Sequence, residues 1–324
     1  MKNSVKAKVR WLGVAVAAAA LCGSLWAQPR RMENPETIQL PAGARVEFDT
    51  FSSESMGESV DYSVFLPPSY DKAPERRFPA VYFLHGLFND HTSWAVERYG
   101  NIPERLAQLM LDGTLPEFLI INPSGGRGFY TDTHDGSVHY ERAIYEDVIK
   151  AAEERYRLRS ERSARALGGT SMGGYGALKI AFRQPQLFSA VAAGSPIVLL
   201  GDDPLASIPD DEGRLSQYLR RLVGGLYGSP VNTEHWLANS LEKLAQEASL
   251  DDGLGIYFFY GTADRYGQAL PLEEGVRKLH QILDQRGIEH RFEIIEQGPH
   301  GWDLVVQKLD DMFAFLSRSF RQVD

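Results

Sequence analysis

The sequence predicts an α/β fold: a mostly parallel central sheet of about eight strands, helices on both faces, and a helical insertion after the sixth strand. Two observations predict the layers. Short, unbroken apolar runs recur along the chain, and the segments between them carry apolar residues at helical spacing. Unbroken runs suit strands buried on both faces, as in a covered parallel sheet. A third observation predicts the insertion. Residues 197–253 hold no clear strand, and that is too long for a plain loop in a compact domain.

At the N-terminus, Lys2, Lys6, Lys8 and Arg10 precede the apolar run "WLGVAVAAAALCGSLWA", which ends at Ala27. A basic start, an apolar stretch and a small residue at the cut form the layout of a secretory signal peptide. The expectation is removal of 1–27, a single mature domain over 28–324, a secreted or periplasmic location and no stable membrane insertion after cleavage. The alternative is a retained anchor, for which the run is short and weakly apolar. The whole chain carries a net charge of −9; residues 1–27 hold four basic and no acidic residues, so −13 remains. Such a balance argues against nucleic acid, whose binding rests on basic patches. The one cysteine, Cys22, leaves with the peptide. A nucleophile in the mature chain must then be a hydroxyl, an amine or a carboxylate.

The elements follow in order. "ARVEFDTF" (44–51) and "SVDYSVFLP" (59–67) alternate polar and apolar residues, as antiparallel edge strands do. Unbroken runs come next at "FPAVYFL" (78–84), "EFLIIN" (117–122), "ARALGG" (164–169), "FSAVAAG" (188–194) and "GIYFFY" (255–260), and "RFEII" follows at 291–295. Tyr140, Ile144, Val148 and Ala152 make one helical stripe. Leu272, Val276, Leu279 and Leu283 make another, stopped by Gly287. Within 197–253, "GRLSQYLRRLVGG" and "TEHWLANSLEKLAQEA" read as helices. They form either a wall over the carboxyl ends of the strands or packing on the flank.

The chemistry centres on "GGTSMGGYG", residues 168–176. Gly169-Thr170-Ser171-Met172-Gly173 matches G-x-S-x-G, with an apolar run before it and a helical pattern after it. Strand, sharp turn and helix are the setting of a nucleophilic serine, and small neighbours let the backbones pass closely. A serine needs a base, and the base an orienting acid, in the order Ser, acid, His on such a fold. Asp264 follows the run 255–260, and His300 sits in a Gly/Pro-flanked loop after 291–295. Both lie where parallel strands present their carboxyl ends. Asp303 and Glu296 are rival acids, and His235, His280 and His290 rival bases. The oxyanion donors would be the backbone N–H groups of Met172 and of Leu87, the latter in "FLHGLFNDHTSW".

Taken together, "LHGLFNDHTSW", "GGRGFYTD", "GGTSMGGYGALK", "GTADRYG" and "PHGWD" resemble the esterase D-type esterases. That group includes S-formylglutathione hydrolases, feruloyl and acetyl-xylan esterases and secreted mycolyltransferases. The resemblance spans about residues 43–318 and implies an α/β-hydrolase fold and a serine esterase without cofactor or metal. Carried over by position, it makes Ser171 the nucleophile, Asp264 the acid, His300 the base, and Leu87 and Met172 the oxyanion donors. The S-formylglutathione branch is cytosolic and has cysteines near its site, and there this chain departs from the pattern. His134, Asp135 and His139 match no strong metal-ligand spacing.

Phe88, Trp94, Tyr130, Tyr266 and Trp302 flank the catalytic loops as candidate pocket residues. If they line a cleft, they suit an aromatic acyl group or a sugar face. The reading that follows is a secreted or periplasmic serine carboxylic-ester hydrolase acting on a small-molecule or carbohydrate ester. Alternatives are an acyltransferase with a sugar hydroxyl as acceptor and a non-catalytic binding module.

Overall fold

The computed structural model describes residues 34–95, 101–250, 253–267 and 269–321. The signal-peptide expectation for 1–27 lies outside the described residues. Among these residues nine strands form one sheet: β1 (Ile38–Gln39), β2 (Arg45–Ser53), β3 (Glu58–Leu66), β4 (Ala80–Leu84), β5 (Leu119–Pro123), β6 (Arg165–Thr170), β7 (Ala190–Gly194), β8 (Gly255–Gly261) and β9 (Arg291–Ile295). Their order is β1-β2-β3-β5-β4-β6-β7-β8-β9. The first three strands pair antiparallel, and β3 meets β5 antiparallel. Every pair from β5 to β9 is parallel. The extra strand is the two-residue β1, too short to carry a pattern. It moves the insertion to a place after the seventh strand.

The unbroken runs are explained by two cores, one on each face of the sheet. In β4, Val81 and Phe83 join the core with α1 (Ile102–Leu111), α8 (Trp302–Gln307) and α9 (Leu309–Leu316). Ala80, Tyr82 and Leu84 join the other core, with the helical stretch 140–155 (α2), α3 (Met172–Arg183) and α7 (Leu272–Gln285). Alternate residues thus meet different helices, so no position is left for a polar one. Within α2, residues Ala143–Val148 form a π-helical segment between two α-helical ends. A strict four-residue repeat drifts by about 40° per step on a regular α-helix. The wider turn works against that drift, and Tyr140, Ile144, Val148 and Ala152 all stay buried. Gly287, with φ +69, lies just past the end of α7 and supplies the left-handed residue that stops it.

The insertion contains α4 (Arg214–Tyr227), α5 (Thr233–Asn239) and α6 (Leu241–Glu247). It packs against α3 and is fastened there by a buried ionic group. Lys179 of α3 is fully buried. Its Nζ donates to Thr131 Oγ1 at 2.8 Å and to Asn239 Oδ1 at 3.0 Å, and lies 3.0 Å from Glu141 Oε2. Arg183 Nη1 reaches the same Glu141 oxygen at 3.1 Å. Burial pulls the Lys179 pKa below the usual lysine value, and the Glu141 carboxylate opposes it. Helices α2, α3 and α5 therefore meet at one charge cluster. Glu141→Gln leaves the Lys179 charge without its buried counter-ion, and we expect a loss of about 3–5 kcal/mol. Urea unfolding measures it. The double change Lys179→Met with Glu141→Leu should recover most of that loss, because both buried charges are then gone.

Candidate active site

Ser171 stands between the end of β6 and the first residue of α3, with φ 57 and ψ −118. Few non-glycine residues adopt such a backbone, which costs on the order of 1–3 kcal/mol and persists only where neighbours hold it. Two hydrogen bonds do so. Ser171 N–H donates to Gly194 O at 2.8 Å, and its own carbonyl accepts from Tyr175 N–H at 2.9 Å. The flanking glycines are required by close approach. A Cβ on Gly169 would overlap the backbone of Gly173, and one on Gly173 would overlap the Leu84 carbonyl of β4.

The loops after β8 and β9 bring two more side chains to this corner. His300 Nε2 lies 2.8 Å from Ser171 Oγ, and His300 Nδ1 lies 2.5 Å from Asp264 Oδ2. The second Asp264 oxygen accepts from Tyr266 N–H at 2.8 Å. The two loops are joined by backbone. Thr262 N–H donates to Ile295 O at 3.0 Å and Ala263 N–H to Gly298 O at 2.9 Å. A Cβ on Gly261 would overlap Gly298 O. Asp264 is buried, and the Tyr266 ring meets the His300 ring edge-on at 4.7 Å.

The rival bases are engaged elsewhere, and neither rival acid is bonded to His300. Glu296 is exposed beside Gln297, and Asp303 lies on the cavity wall at the start of α8. His235 Nε2 pairs with Asp132 O, and His280 and His290 pair with each other at 2.8 Å. Asp135 accepts from Thr133 and Ser137 within its own turn. No cluster of three or more potential metal ligands occurs among the described residues.

Met172 opens α3, where its N–H has no carbonyl one turn back within the helix. Leu87 lies in the loop after β4, whose backbone is gripped by His85. The His85 Nε2 accepts from Gly125 N–H at 2.7 Å, which leaves Nδ1–H to donate to Gly86 O at 2.9 Å. Burial pushes the His85 pKa down to about 4, so the ring is neutral and this tautomer holds at neutral pH.

A cavity of about 310 Å³ opens at Ser171 and His300. Phe88, Tyr266 and Trp302 line it, and so does Leu87. Trp94 and Tyr130 do not. The Trp94 indole N–H bonds Ser63 Oγ and its ring packs edge-on to Phe65 in the core. Tyr130 is fully buried beneath Gly125 and Gly176, with its hydroxyl on His85 O. Both support loops from behind. Sequence reasoning missed Tyr175 and Phe129 as lining residues. Tyr175 was legible, because it lies four residues beyond Ser171 on one helix face. Most of the remaining wall comes from the insertion, which is therefore a pocket wall and not flank packing.

A family model described as "Putative esterase" matches residues 53–316. An acetyl esterase of Caldicellulosiruptor saccharolyticus is 25% identical over 83% of this chain and 96% of its own length. An endo-1,4-beta-xylanase/feruloyl esterase of Xylanibacter ruminicola is 28% identical over 43% of this chain, and the match spans only 20% of that longer protein. Among solved structures, a ferulic acid esterase superposes with a TM-score of 0.68 at 24% identity, over 86% of this chain and 98% of its own. An S-formylglutathione hydrolase from Agrobacterium tumefaciens does so at 0.67 and 18% identity, over 89% and 100%. The structural likenesses speak for the fold, and the sequence match for the family. The chain has the α/β-hydrolase fold, belongs to the "Putative esterase" family and is a carboxylic-ester hydrolase.

Proposed function

We propose that Ser171, His300 and Asp264 act as a catalytic triad through an acyl-enzyme. The observation that carries this reading is the continuous path from Ser171 Oγ to His300 Nε2 and from His300 Nδ1 to Asp264 Oδ2, at 2.8 and 2.5 Å. Ser171 Oγ attacks the ester carbonyl while His300 Nε2 takes its proton. Asp264 holds Nδ1–H and stabilises the imidazolium. The intermediate collapses, and His300 returns the proton to the departing alcohol. Water then repeats the sequence and frees the acid. Leu87 and Met172 N–H receive the oxyanion.

His85 acts here as a positioning residue. It draws the Gly86 carbonyl toward itself, and in a trans peptide the next N–H points the opposite way. Leu87 N–H is thereby turned from His85, on a loop that lines the cavity with Ser171.

Two observations bear on the ester and on where it is met. Phe88 is 53% exposed at the cavity, with Tyr218 against it at 5.4 Å and the Arg127 guanidinium over its ring at 5.5 Å. An exposed aromatic face of this kind suits a sugar ring or an aromatic acid. The endo-1,4-beta-xylanase/feruloyl esterase named above pairs a carbohydrate with an aromatic acid in its name, which supports a carbohydrate ester as substrate. The charged and apolar layout of 1–27 supports export and a single mature domain over 28–324. No helix among the described residues is long and apolar enough to cross a membrane.

Ser171→Ala should lower ester turnover by about 10⁴-fold or more, with circular dichroism unchanged. Turnover near that of the parent would remove Ser171 from its role. Asp264→Asn should cost on the order of 10⁴-fold, as a wrong imidazole tautomer does.

The lowered pKa of His85 also has a sign in stability. Its folded value of about 4 lies below the ordinary value near 6.5, so the unfolded chain binds the proton first. The His85 contribution is complete above about pH 6.5 and is lost as pH falls toward 4. His85→Gln should flatten this part of a urea-midpoint profile, and it should lower kcat more than it raises KM. A profile of unchanged slope would exclude the titration. For export, N-terminal sequencing of protein from the periplasm or medium should begin at Gln28. A start at Met1 would mean a retained anchor.

A further inference from the structure

The cavity at Ser171 runs back beneath the insertion. Leu215, Leu219, Leu222, Val223 and Leu226 all line it, and their spacing puts them on one face of α4. Ile208 and Leu241 extend this wall. The polar groups on the α4 side of the cavity are already paired, whereas Thr170 Oγ1, at the Ser171 end, has no hydrogen-bond partner in the protein. Tyr175 Oη donates to Asn239 O at 2.7 Å and lies 3.3 Å from Tyr227 Oη. Trp236 Nε1 donates to Gly201 O at 2.8 Å. A ligand pressed against this wall meets methyl groups, and a polar ligand atom buried there without a partner is disfavoured.

We propose that the cavity holds the acyl part of the ester as an unbranched aliphatic chain of about six to ten carbons. The upper bound follows from volume: at roughly 30 Å³ per heavy atom of a liquid-like occupant, the whole cavity of about 310 Å³, its Phe88 rim included, takes about ten. The proposal rests on the triad reading above. It assigns the chain to the acyl side for a reason of sequence in the reaction. The acyl group stays bonded to Ser171 Oγ while the alcohol leaves, and water must then enter where the alcohol was. The leucine-lined inner part of the cavity suits the part that stays. The alcohol's place must be open to water. An aromatic acid such as ferulic acid would bring a phenol hydroxyl among these leucines, where the donors in the wall are already committed. The aromatic rim at Phe88 then faces the alcohol.

Three comparisons test this. First, kcat/KM is measured for p-nitrophenyl acetate, butyrate and octanoate. Each methylene buried in the transition state should multiply it by up to about fourfold; at only about twofold for each added methylene, octanoate still exceeds acetate by more than about thirtyfold. Second, ethyl octanoate and octyl acetate are isomers with the chain on opposite sides of the ester. The former should be turned over at least about tenfold faster, and methyl octanoate should outrun methyl ferulate by a similar factor. Third, Leu219→Trp fills the cavity and should cut the octanoate-to-acetate ratio at least about tenfold. Val223→Phe repeats the test from a second position, should the first variant not fold, and if neither folds the substrate series decides. Octanoate no better than acetate, octyl acetate the better isomer, ferulate the better methyl ester, or a folded variant with the parent ratio would each overturn the proposal. If acetate turnover in these experiments still requires Ser171, the triad reading stands without the aliphatic chain. If acetate turnover survives Ser171→Ala, it is the triad reading that falls.

Discussion

Everything at this site depends on how closely three backbones can approach one another at Ser171. The end of β6, the start of α3 and the end of β4 meet with no room for a side chain on Gly169 or Gly173. That crowding holds Ser171 at φ 57, with β7 gripping its N–H through Gly194. The corner also fixes where α3 begins, and hence where Met172 N–H and Tyr175 lie. A helix carrying bulkier residues in its first turn could not sit so low against the sheet.

The second pair of strands imposes its own constraint. β8 and β9 end side by side, and their following loops are bonded backbone to backbone through Thr262, Ala263, Ile295 and Gly298. Asp264 and His300 are therefore set relative to each other by main chain, and their 2.5 Å contact does not rely on long, flexible side chains. The sheet then sets both against Ser171, because β6, β7, β8 and β9 are consecutive neighbours.

Much of this is written in the sequence, for physical reasons. A strand buried on both faces must be apolar, so the runs at 78–84, 117–122, 164–169, 188–194 and 255–260 are visible, while 291–295 is the half-buried edge strand. The G-x-S-x-G corner was visible because only glycines satisfy its geometry. Asp264 and His300 were placed by their position just after such runs. The two-residue β1 carried no period and could not be read. Trp94 and Tyr130 misled because an aromatic residue in a catalytic loop looks alike from either side of that loop. Its ring can face the cavity, or it can fill the space beneath, and sequence does not record which. The aliphatic wall of α4 was hidden for a related reason. "GRLSQYLRRLVGG" shows an apolar face, but not that the face looks onto Ser171.

The charge cluster at Lys179 has a bearing on how the enzyme discriminates. Asn239 of the insertion accepts a hydrogen bond from the fully buried Lys179 ammonium. Swinging the insertion outward would strip one partner, Asn239, from a buried cation, a step less favourable than parting two apolar surfaces of the same area. The wall is thus cast and not hinged. A rigid mould loses little conformational freedom when it is filled, so its selectivity comes from shape fixed before the substrate arrives. Its penalty is narrowness: a substrate that does not match the mould is accommodated only by drawing Asn239 away from Lys179.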